Sequence, residues 1–147
     1  MKTKLWVGLA IAGGVCALGA ATSMAHHAFA AEFDANRPVN LQGKVTRVEW
    51  INPHAWIHID AKKEDGSSQA WMVEDSTPNT LLRRGITKDS LKIGTEIVVR
   101  GYQSKDALCT PKCRANGRDV TFPDGRKLFM GSSGTGAPKD GSDAEEK

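Results

Sequence analysis

Cysteine is scarce in this sequence, charge of one sign is not in surplus, and catalytic signatures are missing. Each lack excludes something. There are three cysteines, Cys16, Cys109 and Cys113, too few for a disulfide-built scaffold. Lysine and arginine total 20 against 17 aspartates and glutamates. Without Lys2 and Lys4 the balance is 18 to 17, a formal charge of +1. A nearly neutral chain gives no electrostatic ground for binding nucleic acid. No Ser-His-Asp order, nucleophile elbow, phosphate loop or zinc-protease helix occurs. Cys109 and Cys113 lack the two-residue spacing of a thioredoxin-like motif. The chain does not read as an enzyme, and no internal repeat is visible.

One long apolar run exists, at the start. Lys2 and Lys4 precede Leu5–Ala21, an Ala- and Gly-rich stretch, and Ser23-Met24-Ala25 follows with small residues where a signal peptidase reads. That layout predicts a secretory signal over residues 1–25. An uncleaved anchor would have only 17 residues, four of them Gly, at the bottom of the spanning range. No twin-Arg pair is present, and Cys16 lacks the context of a lipoprotein signal. The expectation is a periplasmic or secreted protein with no membrane contact after cleavage. A second cleavage option, Ala28-Phe29-Ala30, would remove His26 and His27. At the other end, residues 131–147 lack large apolar side chains and predict a disordered tail. Residues 26–130 suffice for a single domain with one core.

Within that domain Val39, Leu41 and Val45 alternate around Gly43, then the phase slips to Val48 and Trp50. This predicts a long bent first strand with a bulge, ended by Pro53. Ala55, Ile57, Ile59 and Ala61 share one face of a second strand, with Trp56, His58 and Asp60 on the other. A three-residue turn ending in left-handed Gly66 pairs Ile59 with Trp71 and Ile57 with Val73, gathering four large apolar residues on one face. The same register sets His58 opposite Met72 and Trp56 opposite Glu74, facing outward. A helix follows, capped by Ser76 or Thr77, with Pro78 in its first turn, Leu81 and Leu82 inward and Gly85 at its end. Ile97–Val99 is a fourth strand ended by Gly101. Asp119–Phe122 and Arg126–Met130 form a fifth strand or a terminal hairpin. Three strands, a helix, then two strands is the order of the five-stranded OB barrel. An open β-sandwich with a covering helix is the alternative.

The stretches HHAFAAEFD, VEWINPHAWIHID, LLRRG, GTEIVVRGY and RDVTFPDGRKLFMGSSG, spanning His26 to about Pro138, together resemble a family of small exported bacterial proteins of unknown function. The resemblance implies export and one β-rich domain. It supplies no catalytic residues, and the Cys109–Cys113 pair is outside its pattern.

Four histidines are the candidate metal ligands, with Met72 as a thioether. Cleavage after Ala25 would give His26 a free α-amine beside its imidazole, a chelate that suits Cu(II) when a third nitrogen joins. His27 lies beside it. His54 and His58 would stand roughly 13 Å apart along a strand, so the expected sets are His26 with His54, or His58 with Met72. Solvation of these imidazoles, or a loop hydrogen bond at His54, is the bland alternative. Trp56, Asp60 and Glu74 make a candidate ligand surface, unless Phe29 and Phe33 fold back over Trp56. An oxidising compartment predicts a Cys109–Cys113 disulfide. The reading is a periplasmic binding module with copper or another soft cation as ligand. The alternatives are a structural domain that meets a periplasmic protein partner, and a barrel that binds oligosaccharides or small molecules.

Overall fold

The computed structural model describes residues 29–131. The signal predicted over residues 1–25, His26, His27 and the tail predicted from residue 131, save Gly131 itself, lie outside them. The elements are β1 (Phe33–Glu49), β2 (Trp56–Lys62), β3 (Ser68–Glu74), α1 (Pro78–Arg83), β4 (Glu96–Ser104), β5 (Cys113–Thr121) and β6 (Lys127–Phe129). The sheet runs β3-β2-β1-β4-β5-β6, and β3 also pairs with β5. The pairings thus circle from β1 through β2, β3, β5 and β4 back to β1. The β3–β5 pairing is parallel and the other five are antiparallel.

β1 serves two neighbours. Residues from Pro38 to Lys44 pair with β4, and residues from Gly43 to Glu49 pair with β2. The register shifts between Val45 and Arg47, the bulge expected from the slipped alternation. It turns Val48 back toward the core after Val45. The hairpin of β2 and β3 has the expected register, with Ile59 opposite Trp71 and Ile57 opposite Val73. Gly66 closes its turn at φ 81°, a conformation glycine adopts without Cβ strain, and Asp65 accepts from the Ser67 amide at 2.9 Å.

Val45, Ile57, Ile59, Val73, Leu81, Ile97, Val99, Val120 and Met130 are all buried in one cluster. Each such aliphatic side chain contributes about 1.5–3 kcal/mol on burial. Thr77 caps α1, its hydroxyl accepting from the Thr80 amide at 3.2 Å. Leu81 fills the core, but Leu82 is half exposed and does not pack inward as its neighbour does. A six-residue helix presents one narrow face, and adjacent residues cannot share it.

Two strands are longer than the sequence suggests. β4 continues through Gly101 to Ser104. The glycine is there for a close approach: a Cβ at this position would collide with the Asn116 carbonyl, where the β4–β5 register shifts. β5 begins at Cys113, well before Asp119. It carries the buried polar residues Asn116, Arg118 and Asp119, so no apolar alternation announces it. β6 pairs with β5, so the terminal hairpin forms in addition to a fifth strand. Gly131 ends the described chain in place, its carbonyl accepting from the Ser76 hydroxyl at 2.5 Å and from Arg84 at 2.6 Å.

Candidate functional site

The N-terminal segment folds back onto the sheet. Residues 29–32 are helical. Phe29 meets Phe33 at 5.8 Å and the edge of Tyr102 at 5.4 Å between ring centroids, and all three are buried. This small aromatic cluster does not lie flat on Trp56. It forms one wall of a cleft of about 380 Å³, which is also lined by Glu32, Pro53, His54, Trp56, Glu74, Arg114 and Asn116. The other walls come from the start of β2, the end of β3 and the start of β5. The β3–β5 pairing aligns Glu74 with Asn116, and the hairpin aligns Glu74 with Trp56.

His54 is the one histidine in that lining. Its Nδ1 lies 3.1 Å from the Asp75 carbonyl oxygen and 3.2 Å from Glu74 Oε1. Both neighbours only accept, so Nδ1 carries the proton and the lone pair is left on Nε2. The Glu74 carboxyl is held above its ordinary value chiefly by burial and also by Glu32, with His54 and Arg114 pulling the other way. Arg114 bridges the cleft, pairing with Glu32 at 3.0 Å while its guanidinium lies 5.8 Å from the centre of the Trp56 ring.

His58 has different surroundings. It stands opposite Met72 as expected, yet it is 3% exposed and not an ordinary outward residue. Nε2 lies 2.9 Å from Glu49 Oε1 and Nδ1 lies 2.9 Å from Lys112 Nζ. With both ring nitrogens engaged, His58 has no lone pair to give a metal while Lys112 is in place, and Met72 alone is left of that set. Asp60 is exposed and pairs with Ala70 and Lys44, away from the cleft. No group of three or more histidine, cysteine, aspartate or glutamate side chains converges on a metal position among the described residues. His26 and His27 lie outside them. Cys109 and Cys113 are joined in a disulfide.

Sequence reasoning missed Glu32, Arg114 and Asn116 in the cleft. Arg114 and Asn116 belong to the part of β5 that read as loop, and Glu32 has no local signal beyond its place before Phe33. It also left Asp75 unplaced. That carboxyl is fully buried, neither oxygen has a hydrogen-bond partner among the described residues, and burial followed by Glu74 raises it well above its ordinary value.

No helix of the described residues is long and apolar enough to cross a membrane. No curated protein and no solved structure matches the chain. A family model does match, over residues 15–111 and thus more than half of the sequence, so the chain belongs to that family, described as a family of unknown function (DUF6152).

Proposed function

We propose that this chain is an exported binding module on an OB-like five-stranded barrel, and that its ligand, copper or a similar soft cation, is held at the Trp56 cleft by His54 and the amino-terminal His26. The OB reading is supported by the order of pairings, in which β1 joins β2 and β4 while β3 runs parallel to β5. Small barrels of that order bind ligands on the β2–β3 face, the side from which Trp56 and Glu74 project.

The observation that carries the ligand class is the setting of His54. Metal-bound imidazoles characteristically donate their second nitrogen to a carboxylate or a carbonyl, which fixes the tautomer and the ring plane. Here Glu74 and the Asp75 carbonyl hold Nδ1, and Nε2 has no partner among the described residues. Residue 26 is three positions before Phe29, at most about 10 Å of extended chain, and Phe29 lines the same cleft. A chelate of the α-amine and imidazole of His26 can therefore reach the rim. Nitrogen donors of this kind favour Cu(II) among divalent ions of its row.

A second reading rests on a separate observation. Trp56 and the charged pair Glu32–Arg114 face one cleft, a mixture of aromatic surface and polar groups that suits a sugar or another polar organic molecule.

The test is an exported preparation whose intact mass fixes the mature start, titrated with Cu(II). The expected result is a chain beginning at His26 that retains one copper, with retention lost in His54→Ala. A chain that begins at His26 and retains no copper overturns the reading. Trp fluorescence quenched by a sugar series and unmoved by Cu(II) would transfer the cleft to the second one.

A further inference from the structure

The connection from β4 to β5, residues 105–112, is fastened to the outer side of the hairpin. The Cys109–Cys113 disulfide closes its end, Gln69 donates to the Cys109 carbonyl at 3.3 Å, and Lys112, inside the disulfide ring, reaches His58. An ammonium has only protons to give, so Nδ1 of His58 must accept. Glu49 Oε1, which also faces Arg47 at 3.3 Å, accepts from Nε2. One protonation state satisfies both partners: a neutral ring with its proton on Nε2.

We propose that Lys112, His58 and Glu49 form an acid-released latch, which holds the Cys109–Cys113 loop on the sheet while His58 is neutral and frees it when His58 takes a second proton. Protonation at Nδ1 turns an acceptor into a donor and sets a cationic ring against a cationic ammonium 2.9 Å away. The ring is fixed in β2, so the flexible lysine is the group that leaves, and the loop loses one of its ties.

The charges around the ring agree. β1 supplies Glu49 and Arg47, the loop supplies Lys112, and β2 itself carries Asp60 two residues along on the exposed surface. The β3 neighbour is Met72, which has no charge. Arg114 of β5 pairs with Met72 in register and is itself tied to Glu32. Burial first, then Lys112, lowers the His58 value, against the hydrogen bond and charge of Glu49. A lowered value for a base means that the stabilisation from this group is complete above the unfolded value of about 6.5 and is lost as pH falls through the folded one. Release therefore occurs on the acid side of ordinary histidine titration.

The test is residue-resolved hydrogen exchange of the mature chain at pH 7.5 and pH 4.5, corrected for intrinsic rates, with the His58 ring followed by NMR. Protection over residues 107–114 is expected to fall about tenfold at the lower pH, while β2 and β4 keep theirs. His58→Gln presents an acceptor and a donor that do not titrate, and is expected to keep the loop protected at both pH values. Lys112→Met is expected to leave the loop open at both and to raise the His58 value. Equal loop protection in the wild type at the two pH values overturns the latch. So does an acid loss in His58→Gln that matches the wild type. Should His58→Gln not fold, the Lys112→Met comparison decides alone: an unmoved His58 titration and a wild-type pH response of the loop would both count against it.

Discussion

His54 and His58 lie four residues apart, yet the molecule treats them differently. His54, at the mouth of the cleft, has one nitrogen held by Glu74 and the Asp75 carbonyl and the other without a partner among the described residues. His58, in mid-strand, has both nitrogens taken, by Glu49 and Lys112. The adjacent carboxyls repeat the contrast. Glu74 has His54 beside it, whereas Asp75 is buried with nothing bonded to either oxygen among the described residues. What a polar residue can do here depends on which of its donor and acceptor positions its neighbours leave open.

The contrast can be broken most directly at His58. His58→Ala strips the partner from Glu49 and Lys112 within a nearly closed site and is expected to cost about 2–3 kcal/mol in urea unfolding, whereas His54→Ala is expected to cost well under 1 kcal/mol, as half-exposed substitutions do. Equal costs would abolish the distinction. Next in size is the carboxylate that orients His54. Glu74→Gln is expected to weaken Cu(II) binding about tenfold in a competition titration, with little change in unfolding midpoint. An unchanged affinity would remove Glu74 from the site.

Asp75 gives a smaller effect than His58 and a defined sign. Its folded value is raised, so its favourable contribution is full below the unfolded value of about 3.9 and is lost as pH rises. Asp75→Asn is expected to stabilise the domain by about 1 kcal/mol at pH 7, with the gain vanishing near pH 3.5. Parallel stability curves for the two proteins across that range would contradict the burial account.

The hairpin was legible because its apolar residues repeat every second position and Asp65-Gly66 allows few turns. One register satisfied both constraints, and it placed Trp56 against Glu74. The bulge in β1 was legible for the same reason. β5 was not. Its buried residues include Asn116, Arg118 and Asp119, and Asp119 is paired with the distant Arg100 at 3.3 Å. Long-range pairing of that kind has no local signature, and Arg114 and Asn116 were lost to the site with it. The register predicts His58 opposite Met72, as found, but not its burial, because the lysine that reaches it arrives from a loop far along the chain. Hydrophobicity alone predicts Leu82 inward, but in a six-residue helix that buries Leu81 its neighbour is left half exposed.

The parallel seam between residues 71–74 and 113–116 has a consequence for how the chain comes together. Everything up to β4 can assemble by antiparallel pairing of strands that follow one another or are joined across β1, but β3 keeps a bare edge until β5 arrives. A nascent or truncated chain ending before Cys113 would present that row of unmatched amides and carbonyls as a template for other strands. Synthesis through β5 is thus what covers the β3 edge.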